Sequence, residues 1–190
     1  LVNCLQKIDV KGLQVVRRDS CPYVRETLKK LLEMILETDD PKPAVNFAKQ
    51  CAKDLKGGLV PIEKLILSKQ LAAEYKTTTI KGRPLPPQPH VMVRDKIRKR
   101  APGSEPQQGD RVQFVIVEGP GKMFNKTEDP EWVKTRGLKI DYEYYFDNQL
   151  KKPICDLLEP LVGANPERII FAPKVRTMTD YFSLRTDPQV

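Results

Sequence analysis

The stretch VQFVIV, Val112 to Val117, is set off by Gly109 before it and by Gly119-Pro120-Gly121 after it, and it reads as the clearest strand in the chain. Apolar residues elsewhere recur at helical rather than strand spacing. Val24, Leu28, Leu31, Leu32, Ile35 and Leu36 return every three to four positions, which predicts an amphipathic helix of about four turns. Pro22 stands at its first position with Ser20 or Cys21 as cap, and Asp39-Asp40-Pro41 stops it. Ala44, Val45, Phe47, Ala48, Cys51, Ala52 and Leu55 predict a second helix, ended at Gly57-Gly58 by a left-handed cap. A small β element between helices makes the fold class α+β, mainly helical.

The other segments are read more coarsely. Residues 8–18, IDVKGLQVVRR, suit a strand or the start of a short helix, and residues 59–71 a turn at Pro61 followed by a short strand or helix. TTTIKGRPLPPQPH, 77–90, has the composition of an extended exposed segment. Val91 to Arg100 reads as a helix, and Ala101 to Gln108 as a loop. Asp141 caps a helix through YEYYFDNQLKK, and Pro153 opens a second short one closed by Pro160 and Gly163. The last residues, from Pro173 on, show no period.

The chain has 190 residues, with 33 Lys and Arg against 25 Asp and Glu, a formal charge of +8 that favours a polyanionic partner. The excess is concentrated: residues 81–111 hold eight basic and three acidic side chains, the densest run being Arg94, Lys96, Arg98, Lys99 and Arg100. Such a run neutralises phosphates without reading bases; it equally suits a solvated helix face or a nuclear-localisation signal. No apolar run approaches the roughly 20 residues of a membrane helix, and LVNCLQKIDVKG lacks a signal peptide's apolar stretch. Membrane and secretory readings are therefore set aside. Cys4, Cys21, Cys51 and Cys155 form no CxxC pair and His90 is the single histidine, so no zinc site is expected and free, mostly buried thiols are.

No catalytic constellation emerges. Asp9, Asp19, Asp39, Asp40, Asp110 and Asp141 read as caps, turns or strand edges rather than carboxylates converging on Mg²⁺. GxxxxGK[ST] and GxSxG are absent, and Gly119-Pro120-Gly121-Lys122 suits a hairpin turn better than a phosphate cradle, since proline lacks an amide donor. Tyr142, Tyr144 and Tyr145 sit on a helix with Gln149, either as core or as a contact surface.

Three ordered stretches, KIDVKGLQVVRRDSCP (7–22), HVMVRDKIRKRAPGSEPQQGDRVQFVIV (90–117) and LKIDYEYYFDNQLKKPICDLLEPLVG (138–163), resemble the C-terminal part of family B DNA polymerases, delta-type, eukaryotic or from large DNA viruses. The likeness rests on Lys11, Gly12, Arg17, Arg18 and Cys21, on the strand Gly109 to Ile116 with Phe114 at its aromatic position, and on Ile140, Asp141, Tyr144, Tyr145, Gln149, Leu150 and Pro153. It implies that residues 1–21 end the palm and 22–190 form the thumb, with its β-containing part at about 77–139. It implies a grip on the primer–template duplex by its backbone during template-directed nucleotidyl transfer. Catalytic aspartates, their Mg²⁺, fingers and exonuclease would lie upstream, leaving this piece inactive alone. A sliding clamp is a further implied partner, and the nucleus or a viral replication site the implied location.

On this basis the DNA-contact candidates are Lys11, Arg17, Arg18, Lys69, His90, Arg94, Lys96, Arg98, Arg111, Tyr145 and Gln149. Arg17 and Arg18 equally suit ion pairs with Asp9 or Asp19 that fasten thumb to palm, and Gln149 equally suits backbone groups between helices. The chain departs from the pattern in its proline-rich 77–90 segment and in having no cysteine-rich metal module after Phe171, which points to a viral or truncated parent. The alternative from another class is a stand-alone basic module that binds nucleic acid non-specifically or mediates protein interaction.

Overall fold

A computed structural model describes residues 20–38, 40–75, 85–163 and 165–171. Helix α1 (Pro22–Glu37) starts at its N1 proline after extended Cys21 and buries Val24, Thr27, Leu28 and Leu31, the spacing of one helical face. Asp40 does more than stop α1: its carboxylate accepts from Lys42 N at 3.0 Å and caps α2 (Pro41–Lys56). Leu59 N donates to Asp54 O at 3.0 Å and Gly58 N to Leu55 O at 3.1 Å, the paired bonds of a Schellman ending. Gly58 stands at φ +70°, a left-handed conformation that strains any side chain, and a Cβ there would lie in van der Waals contact with the Tyr142 ring.

A 3₁₀ turn at Ile62–Lys64 leads into β1 (Leu67–Gln70), then come α3 (Pro89–Arg100) and β2 (Arg111–Ile116). β3 (Thr127–Glu128) and α4 (Pro130–Arg136) follow. The three strands are antiparallel in the order β1-β2-β3, with Leu67 opposite Phe114 and Ile116 opposite Thr127. The central strand therefore has the partners its apolar sequence demands. One core joins the sheet to the helices, with Leu31, Leu55, Val93, Val112, Ile116 and Leu158 in the same cluster. This is the mainly helical α+β class expected from the pattern.

Two details of the helical end differ from the sequence reading. α5 (Tyr142–Tyr145) runs through a π turn at Phe146–Leu150 directly into α6 (Lys151–Val162), so Pro153 opens no new helix. The widened turn holds Gln149, whose carbonyl lies four residues before Pro153, and it relieves the clash and missing N–H that proline brings. Pro160 lies within α6, which ends at Gly163 with φ +80°. α4 and the closing α7 (Pro166–Phe171) were not anticipated. Cys21, Cys51 and Cys155 are free thiols, and burial pushes Cys21 up to about 11. The segment 8–18 and most of 77–90 lie outside the described residues.

Candidate nucleic-acid interface

Residues two apart share a face of a strand, so the β1–β2 ribbon has two unlike sides. Leu67, Leu71, Val112, Phe114 and Ile116 fill one, packed with Val93 of α3. The other is apolar where Val115 and Val117 meet Val133, and polar where Ser68, Gln70, Arg111 and Gln113 stand. On that polar end the Arg111 guanidinium donates to the Ser68 carbonyl and hydroxyl, each at 3.0 Å, and stays exposed. Lys69, exposed on the edge strand, reaches Gln88 Oε1 at 3.3 Å across the start of α3.

Along α3 the cations divide. Arg94 donates twice to Asp95 Oδ1, at 3.1 and 2.8 Å, and Arg98 stands 3.8 Å from the same oxygen with its side chain 56% exposed. Both line a groove with Glu105, Pro106, Gln107 and Gln108. This groove borders the ribbon end where Gln70 Nε2 donates to Gly109 O at 2.9 Å and Leu71 N to Asp110 O at 2.8 Å. Lys69, Arg94 and Arg98 therefore stand on the α3 side of this ribbon end, and Arg111 on its opposite face.

Lys96 faces elsewhere. Its ammonium donates to Asn125 O at 3.1 Å, Thr127 O at 2.7 Å and Glu128 Oε1 at 2.6 Å, which uses all three of its protons. Arg100 takes the other Glu128 oxygen at 2.8 Å and lies 4.1 Å from the Trp132 ring centre, with Arg136 at 4.7 Å from the same ring. Lys96 is thus a bolt between α3 and β3 rather than a cation offered to phosphate.

Two further candidates are corrected by burial. His90 is 0% exposed: Tyr75 Oη accepts from Ala72 N at 2.7 Å and shares a hydrogen bond with His90 Nε2 at 2.8 Å. Burial first, then Lys69 and Arg94, lower its pKa to about 4, so it is neutral at pH 7 and touches no surface ligand. Tyr145 is also 0% exposed, and its hydroxyl accepts from Ile116 N at 3.1 Å, tying α5 to the central strand. Gln149 is half-buried beside the Tyr144 side chain. Lys11, Arg17 and Arg18 lie outside the described residues.

Ser68 and Gln113, the neighbours of Arg111, were missed; the period-two alternation of β2 could have found Gln113. Among the described residues no three His, Cys, Asp or Glu side chains converge as a metal-binding group. Asp40, Asp129 and Asp141 each accept from a backbone N–H at a helix start. The described donor set does not fit a catalytic metal.

The sequence model of DNA polymerase family B matches residues 2–161, and the chain belongs to that family. It is 40% identical over 163 residues to a DNA polymerase delta catalytic subunit of Mesocricetus auratus, covering 83% of this chain and 14% of that protein. The corresponding subunit of Candida albicans is 38% identical over 158 residues, again 83% of this chain and 14% of the relative. A DNA polymerase of Paramecium bursaria Chlorella virus NY2A is 38% identical over 169 residues, 87% of this chain and 17% of that protein. The chain thus spans a small fraction of the length of the relatives it matches. In fold it is similar to the family B DNA polymerase of the hyperthermophilic archaeon Pyrobaculum calidifontis, with a TM-score of 0.61 at 24% identity over 75% of this chain and 18% of that one.

Proposed function

We propose that this chain is the thumb, with the end of the palm at residues 1–21, of a DNA-directed DNA polymerase, and that it grips the primer–template duplex by its backbone. Nucleotidyl transfer and the Mg²⁺ it uses belong, in this reading, to carboxylates outside the chain. So do fingers, exonuclease and any contact with a sliding clamp; the site of action is the nucleus or a viral replication site. The observation that carries the reading is that exposed cations flank one end of the β1–β2 ribbon, Lys69 and Arg98 on the α3 side and Arg111 on the opposite face, in a chain of this family. Lys11, Arg17, Arg18 and Arg94 are proposed to add to the grip.

Duplex affinity falls with salt by about 0.9 in log K per log salt for each phosphate neutralised. Arg98→Gln with Arg111→Gln in the full polymerase is therefore expected to lower the salt slope of primer–template binding by about 1.8. Dissociation should speed up alike for every sequence, because backbone contacts read no bases. An unchanged slope, or a loss confined to certain sequences, would defeat the proposal.

A further inference from the structure

A second set of cations lies away from the ribbon. Lys42, Lys49, Lys53 and Lys56 of α2 are all exposed. At 100° per residue they fall within a stripe about 60° wide, and at 1.5 Å per residue they span about 21 Å. Asn46 and Gln50, also exposed, border the stripe without bringing negative charge. None of the four lysines has an acidic residue three or four positions away in α2, and none forms an ion pair among the described residues.

Helix stability does not account for this. Lys53 and Lys56 complement the helix dipole in the last turn, but Lys42 in the first turn opposes it. The stripe runs into a groove of about 460 Å³ lined by Lys49, Lys53, Lys56, Phe146 and Phe171. There Lys56 Nζ lies 3.8 Å over the Phe146 ring, and half-buried Phe171 meets that ring edge-on at 5.1 Å. Arg168 borders the adjoining groove with Lys56, where Lys151 is paired with Glu167 at 2.6 Å and Asp147 at 3.9 Å. α2 packs on α1, α6 and α7, whereas α3 packs on the sheet, so the two cation groups occupy different parts of the fold.

We infer that the α2 stripe and its aromatic-ended groove bind single-stranded nucleic acid, outside the duplex grip. A lysine track that follows the backbone and ends at an aromatic side chain is the arrangement by which single strands are held without sequence preference. The lysines take phosphates, and Phe171 offers the apolar contact for an unstacked base. A duplex keeps its bases inside and has no use for that end of the groove.

The test uses the full polymerase with Lys49→Gln, Lys53→Gln and Lys56→Gln together, exposed changes that retain helix propensity. Binding is read by anisotropy across a salt series with three probes: a 30-nucleotide single strand, a 30-base-pair duplex and polyglutamate. The single-strand arm is expected to weaken, with its salt slope reduced by about 2.1 at about 0.7 per phosphate, while duplex binding holds. An unchanged single-strand slope overturns the inference, as does a loss seen only with duplex or only with polyglutamate. The Arg98→Gln, Arg111→Gln variant, measured on the same duplex, judges the grip separately, so either idea can fail alone.

Discussion

Replacing Lys96 by Met asks whether that side chain is structural or a DNA contact, and the two roles predict opposite readings. The thioether keeps most of the apolar stem's packing and removes only the charge. Lost are a bond to Glu128 Oε1 at 2.6 Å and two bonds to the Asn125 and Thr127 carbonyls at 3.1 and 2.7 Å. Hydrogen bonds to charged groups contribute about 1.5–3 kcal/mol net. Orphaning a fully buried charge costs about 3–5 kcal/mol. That ceiling is not reached, because Lys96 is 23% exposed and Arg100 still holds Glu128 at 2.8 Å. The loss is therefore about 2–3 kcal/mol. With a urea m-value of about 2 kcal/mol/M, the unfolding midpoint should fall by about 1–1.5 M. Trp132, the single tryptophan, sits between Arg100 and Arg136 and reports the transition by fluorescence. A midpoint moved by less than about 0.3 M, together with a reduced salt slope for duplex, would refute the bolt and restore Lys96 to the DNA surface.

Two further outcomes are expected. Tyr145→Phe leaves the buried Ile116 N–H without its acceptor and should cost about 1–3 kcal/mol in a urea titration; duplex affinity of the folded variant should not change, and a change would return Tyr145 to the interface. His90 accepts a proton in the folded chain only near pH 4, against its ordinary 6.5. The unfolded chain thus binds more protons between those values, and stability falls as the pH drops from 6.5 toward 4. Urea midpoints at several pH values should show that slope in the parent and a flatter one in His90→Phe; equal slopes would remove His90 as its source.

Local rules carried the helices as far as local physics operates. The period of Val24, Leu28 and Leu31 and the glycine pair after Leu55 were enough to place α1 and the end of α2, because both depend on contacts within one or two turns. Pro153 was misread because a proline ends a helix only if the preceding turn is regular, and the π turn at Phe146–Leu150 has no signature in apolar spacing. α4 carried a readable signal, Asp129 before Pro130, and Asp129 Oδ2 does accept from Trp132 N at 3.1 Å. β3 is two residues long and exists because β2 has an edge to satisfy, a tertiary cause that no local pattern announces.

The proposed interface was legible as charge and illegible as geometry, for a reason visible on α3. Counting places Arg94, Lys96, Arg98 and Arg100 in one basic run, but 100° per residue sends neighbours of the run to different sides. Whether a cation is spent then depends on residues far off in sequence: Glu128 is 32 positions from Lys96, and its carboxylate engages both Lys96 and Arg100. Arg98 keeps more of its side chain in solvent because its acidic neighbour, Asp95, is already engaged by Arg94. Charge density alone therefore overstates an interface wherever a strand from elsewhere delivers a carboxylate. It would understate one where lysines are spread seven, four and three residues apart, as in the stripe proposed on α2. Such spacing never forms a run in the sequence, yet it makes a single uninterrupted face once the helix is wound.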